Sequence, residues 1–94
     1  MSIREELKKL ESHREMIELE ANAIHSELTS PGLNGAEPAG VKSPLVDTEG
    51  FPRGDIDIYR VRDLRNRLAA LNTDHKEIMK KIEKGLHSLH AQQP

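Results

Sequence analysis

Five histidines and a run of arginines are the residues with the most chemistry to offer. His87 and His90 lie three apart, on one face if their stretch is helical, while His13 and His25 belong to a separate helical stretch. Helical His pairs bind zinc, but a durable site needs three or four converging ligands with supporting hydrogen bonds. The chain has no cysteine to add one, so solvated surface histidines are the simpler reading and no metal or other cofactor is expected. Arg60, Arg62, Arg65 and Arg67 make a basic patch, but Asp55, Asp57 and Asp63 are interleaved with it and only Tyr59 is at hand to stack on bases. A solvated helix face, or the polar rim of a protein interface, accounts for these arginines better than nucleic acid does. No GxSxG, phosphate-cradling glycine loop or HExxH occurs, so no catalytic constellation stands out and an enzyme is not expected.

The elements that would position these groups are two long helices. Ser2 and Glu5 have capping-box spacing. From there Ile3, Leu7, Leu10, Ile17, Ala21, Ile24 and Leu28 recur at spacings of three and four, with Arg14 as the one polar break. The run stops at Ser30-Pro31-Gly32, which predicts a helix over about 3–29. Glu5/Lys9 and Glu6/Lys9 have ion-pair spacing on its outer face. Val61, Leu64, Leu68, Leu71, His75, Ile78, Ile82, Gly85 and Leu89 make a second seam, predicting a helix over about 56–91. Asp55 is the better of two N-cap candidates, with Asp57 adding charge in the first turn. His75 reads as a semi-buried polar spacer that fixes register, and Leu86 as partial cover for the gap at Gly85.

The fold class is therefore all-α: two antiparallel helices forming a coiled-coil-like hairpin in which facing residue numbers sum to about 92. Leu28 would sit near Leu64, Ala21 near Leu71, Ile17 near His75 and Ile3 near Leu89. Residues 30–43, SPGLNGAEPAGVKS, have little that packs and read as a flexible loop. Residues 44–54 differ. Their prolines and glycines forbid helix, yet Leu45, Val46 and Phe51 are too apolar for a linker, which predicts a packed lead-in carrying Phe51 inward, where truncation to Ala would cost about 3 kcal/mol. Met16, Leu19 and Ala23 form a strip off the seam, read as ordinary surface, a seat for the lead-in, or a partner-binding strip. Ile58, Met79 and Leu86 lie beside the second seam.

Composition sets outer limits. A chain of 94 residues with 35% hydrophobic residues, one Phe and one Tyr makes one small domain without a large core. A net charge of −2 gives no electrostatic reason to expect nucleic acid or an anionic membrane as partner. No membrane-length apolar run and no signal-peptide pattern occur, so an intracellular protein is expected. Ordering two helices costs about as much as one seam recovers, so a packed lead-in or a partner must tip the balance.

Pro44-Leu45-Val46-Asp47, Glu49-Gly50-Phe51-Pro52-Arg53, Asp55-Ile56-Asp57-Ile58-Tyr59 with Val61-Arg62, then Asn72, Asp74-His75-Lys76, Leu86-His87 and Leu89-His90-Ala91 form one collinear set. In these residues the chain resembles the 26S proteasome non-ATPase regulatory subunit 9 family. The resemblance implies a cytoplasmic and nuclear assembly chaperone that binds the C-terminal domain of one proteasomal AAA ATPase subunit and delays its docking on the core particle. Members carry a PDZ domain after the helical region, so a chain reaching only Pro94 is expected to be an isolated N-terminal helical domain. Leu45, Val46, Asp47, Arg53, Asp57, Ile58, Tyr59 and Arg62 are the candidate partner-binding residues: an apolar centre with a polar rim. The rival is a structural coiled-coil dimerisation module, since heptads also pair between chains; a metal-dependent enzyme is a distant third. Level seams predict a monomer, so the solution mass should stay constant up to the micromolar range. A stable dimer with splayed helices would defeat that expectation.

Overall fold

The computed structural model describes residues 2–32 and 35–92. Helix α1 runs Ile3–Thr29 and α2 runs Ile58–Ala91. They pack side by side and antiparallel in a rod of 66 × 21 × 17 Å. Among the described residues there is no strand, only an isolated bridge between Val46 and Pro52. The all-α hairpin read from the two seams is the architecture observed.

Both seams are buried where expected. Ile17, Ile24 and Leu28 of α1 meet Val61, Leu64, Leu68, Leu71, Ile78 and Ile82 of α2, with Leu7, Leu10 and Ala21 partly covered beside them. The polar breaks are satisfied rather than stranded. Arg14 folds along its own helix onto Glu11 and Glu18, its Nη1 lying 3.0 Å from Glu18 Oε1. Half-buried His75 reaches across the interface, with Nε2 2.9 Å from the same Glu18 oxygen. That contact, and then the Arg14 charge, hold the Glu18 carboxyl below its ordinary range.

At Gly85 a side chain of α1 packs directly onto the backbone of α2. A Cβ there would lie 2.7 Å from Leu7 Cδ2, so the leucine occupies the space a side chain would need. Leu86 does not cover this gap, as the sequence suggested; it stays exposed because Leu7 already fills the position from the opposite helix. The facing of Leu7 with Gly85, and of Glu18 with His75, matches the register in which residue numbers sum to about 92.

The helix ends follow capping chemistry with two departures. Ser2 Oγ accepts the Glu5 N–H at 3.2 Å, but among the described residues Glu5 returns no bond, leaving half of the expected box. At α2 the N-cap is Asp57, not Asp55: Asp57 Oδ1 accepts the Arg60 N–H at 3.1 Å. Asp55 is unavailable because Arg53 grips both its carboxylate oxygens, at 3.0 and 2.8 Å. The pairs expected between Lys9 and Glu5 or Glu6 do not form among the described residues; such exposed side chains gain little by pairing.

The connection between the helices does more packing than its composition promised. Leu33 and Asn34 of the loop lie outside the described residues. Beyond them Ala39 is buried in the core, and Val41, Leu45 and Ile56 pack against it. The Gly40 N–H donates to the Leu28 carbonyl at 2.8 Å, and Gly40 takes a φ of 73°, a conformation glycine adopts without cost. Arg65 then ties the loop to α2, donating to the carbonyls of Gly40 (3.1 Å), Ala39 (3.0 Å) and Ser43 (2.8 Å). A charged donor serving three carbonyls is a strong local constraint. Arg65→Ala should speed hydrogen exchange at Gly40 by about tenfold or more while leaving Leu71 protected, at a global cost of about 2 kcal/mol. Equal deprotection of both amides would show that the loop and helices open as one unit.

Candidate partner-binding surface

Residues 45–53 form a small turn-back, and Asp47 builds it. Its Oδ1 accepts the N–H groups of Glu49 (2.9 Å) and Phe51 (3.0 Å), while its own N–H donates to the Phe51 carbonyl at 2.7 Å. An Asp side chain that bonds the backbone two residues on is a standard way to close a turn. Gly50 completes it at φ 86°, donating to the Asp47 carbonyl at 3.1 Å. Further back, the Arg53 N–H donates to the Leu45 carbonyl at 3.0 Å, and Val46 pairs with Pro52. The Arg53 side chain also reaches the Glu37 carbonyl at 2.8 Å, joining the lead-in to the preceding loop. The Arg53 hydrogen bond holds the Asp55 carboxyl below its ordinary range.

This geometry sorts the eight candidate residues. Asp47, Arg53 and Asp57 are spent on internal hydrogen bonds, as turn former, clamp and helix cap. Leu45 and Ile58 are half-buried, Leu45 against the core. Val46, Tyr59 and Arg62 face solvent, Tyr59 being 81% exposed. Tyr59 therefore lies outside the hairpin core, and Arg62 makes no ion pair among the described residues. Phe51 reverses its expectation: it is 63% exposed at the turn. The turn closes on the Asp47 carboxylate and on backbone groups, so the segment holds its shape without burying the ring.

Sequence reasoning missed how the arginine patch is used. Arg60 donates to both Glu27 carboxylate oxygens (2.9 and 3.0 Å), and Arg67 Nη2 donates to Glu20 Oε1 at 2.8 Å. These hydrogen bonds hold the Glu27 and Glu20 carboxyls below their ordinary range. A signal existed: Glu20 and Glu27, like Arg60 and Arg67, are one heptad apart, so opposite charges face each other at a constant offset. With Arg65 on the loop carbonyls, Arg62 is the one of the four arginines without a hydrogen bond or ion pair among the described residues. The Met16, Leu19, Ala23 strip is also open, and the lead-in does not seat on it.

Nothing in this arrangement gathers a nucleophile and a base, and among the described residues no cluster of three or more His, Cys, Asp or Glu side chains fits a metal ion. No described helix is long and apolar enough to cross a membrane. What remains is a rigid turn and a helix start carrying an outward Phe, Val, Tyr and Arg. Comparison with known proteins gives this surface a context. The family model of the Nas2 N-terminal domain matches residues 7–91. The chain belongs to the Nas2 N-terminal domain family. It is 41% identical over 86 residues to mouse 26S proteasome non-ATPase regulatory subunit 9, covering 92% of this chain and 36% of that protein. The human protein of the same name is 40% identical over the same share of each chain. The fission-yeast "Probable 26S proteasome regulatory subunit p27" is 31% identical over 84 residues, covering 89% of this chain and 34% of its own. The chain thus spans about a third of the length of the curated relatives it matches. No solved structure matches it.

The outward Phe51 makes a direct stability prediction. By urea denaturation, Phe51→Ala should cost less than about 0.5 kcal/mol. Asp47→Ala should cost about 1 kcal/mol or more, because it removes the acceptor of two turn N–H groups. The opposite order would return Phe51 to the core.

Proposed function

We propose that this Nas2 N-terminal domain is a non-enzymatic assembly chaperone. It binds the C-terminal domain of one proteasomal AAA ATPase subunit during assembly of the regulatory-particle base, in the cytoplasm and nucleus. It acts by occupying that domain and delaying its docking. The observation that carries this reading is the 41% identity to mouse 26S proteasome non-ATPase regulatory subunit 9 over 92% of the chain, joined to a surface on which Asp47, Arg53 and Asp57 are already internally bonded. An interface built that way costs little ordering on binding, since Asp47, Arg53 and Asp57 hold the shape beforehand. Aromatic and arginine side chains supply most hot spots, and Phe51, Tyr59 and Arg62 stand free to do so.

The rival reading, a coiled-coil dimerisation module, draws less support. The heptad seams that would pair two chains are used within one chain, from Leu7 against Gly85 to Leu28 among Val61 and Leu64. The test is a pull-down by this chain of each proteasomal ATPase C-terminal domain, expressed singly. One domain should be retained. Phe51→Ala, Tyr59→Ala and Arg62→Glu should each weaken its binding by about tenfold or more, with helicity and Tm unchanged. Retention of none would overturn the chaperone reading. Unchanged binding in all three variants would move the contact to the Met16, Leu19, Ala23 strip.

A further inference from the structure

The hairpin carries a second surface at its open end, remote from the lead-in. There Ile3, Leu7 and Leu10 are only half-buried, because among the described residues no third segment covers the two helices as Ala39, Val41, Leu45 and Ile56 do at the other end. The result is a groove of about 510 Å³ with mainly apolar walls, within the range of ~300–1,000 Å³ typical of binding clefts. Its rim is basic. Lys9 of α1 and Lys81 and Lys84 of α2 line it, with Glu6 the one acidic group among its lining residues. None of these lysines has an ion-pair partner among the described residues, whereas Glu20 and Glu27 nearer the closed end are matched by arginines.

The charge is polarised along the rod. Residues 2–10 and 76–92 hold seven Lys or Arg against four Glu, while the rest of the chain holds seven Lys or Arg against twelve Asp or Glu. An overall acidic protein thus has one basic end, and that end has an apolar cleft. Lysine stems extend the apolar walls while their ammonium groups stay in water.

We infer that this groove docks an acidic amphipathic segment of a partner protein. Such a segment would lay aliphatic or aromatic anchors over the exposed sides of Ile3, Leu7 and Leu10, with Asp or Glu flanking them toward Lys9, Lys81 and Lys84. Helix-in-groove recognition reads anchors at that kind of spacing, and charge complementarity sets the direction of approach. A second copy of this chain fits poorly, since pairing through the same groove would set lysines against lysines. The inference does not depend on the ATPase partner, and the surface around Tyr59 and Arg62 is separate from it.

The probe is a fluorescein-labelled synthetic peptide with Leu at i, i+3, i+4 and i+7 and Glu elsewhere, titrated with the intact chain. A control peptide carries Lys in place of Glu. Anisotropy should show saturable binding of the acidic peptide, weakening by about tenfold or more between low and high salt, with no binding of the control. The Lys81→Glu/Lys84→Glu double variant, both positions being exposed, should lose at least about tenfold in affinity with its circular dichroism unchanged. Amide shift changes should fall on residues 3–10 and 81–88. Equal binding of both peptides, full affinity in the double variant, shifts elsewhere, or no binding would each overturn the proposal. So would a concentration-dependent mass of the chain alone with shifts at this groove, which would assign it to a second copy. Tyr59→Ala and Arg62→Glu should leave peptide binding unchanged, so failure here is separable from failure of the ATPase reading.

Discussion

A pair of helices can hide only one stripe of each from water, and that constraint governs the rest of this molecule. The stripe from Leu28 and Leu64 down to Ile17, Ile78 and Ile82 is narrow, and its flanks are wet. A third wall is needed wherever the core is to be dry on more than one side. The chain supplies it from its own connection, setting Ala39, Val41, Leu45 and Ile56 over the closed end. The open end has no such wall, which is why Leu7 and Leu10 remain half-covered there. Burial is therefore graded along the rod, from closed to open.

Register has to be fixed by something other than bulk apolarity, because a heptad seam shifted by one repeat would still bury leucines. Leu7 fits only beside a residue without a side chain, and Gly85 is that residue. His75 and Glu18 face each other at the middle of the rod, where a slip would leave a half-buried imidazole without its partner. The Arg60–Glu27 and Arg67–Glu20 pairs are exposed and contribute little energy in water. Their value is discrimination, since a slipped pairing would separate them.

Much of this was legible from letters. Spacing identified every buried seam residue on both helices, and the level ends of the seams fixed the register. What was not legible followed from bonds that leave no periodic trace. Asp55 reads as a better cap candidate than Asp57, and only the bond from Arg53 reveals why the cap falls to Asp57 instead. Phe51 was placed inward because apolar residues in a turn suggest packing, but composition does not say which way a side chain points. That direction is set by the Asp47 turn, and in extended chain a shift of one residue swaps faces. Of the eight candidate contact residues, Asp47, Arg53 and Asp57 make internal hydrogen bonds that no spacing announced, and the exposed Phe51 was not among the eight. The loop's docking was hidden because it depends on Arg65, a residue more than twenty positions away whose role no local pattern announces.

Arg53 and Arg65 grip the connection by its carbonyl oxygens, at Glu37, Ala39, Gly40 and Ser43. Every amino acid presents the same carbonyl, so this grip is indifferent to what the loop spells. Glu37, Lys42 and Ser43 point outward and are open to replacement. Ala39 and Gly40 are not, one for its buried methyl and the other for its positive φ. The mutational tolerance of the connection is thus partitioned residue by residue: related chains are free to diverge in the loop's spelling while preserving its path, so long as both arginines and those two small residues stay.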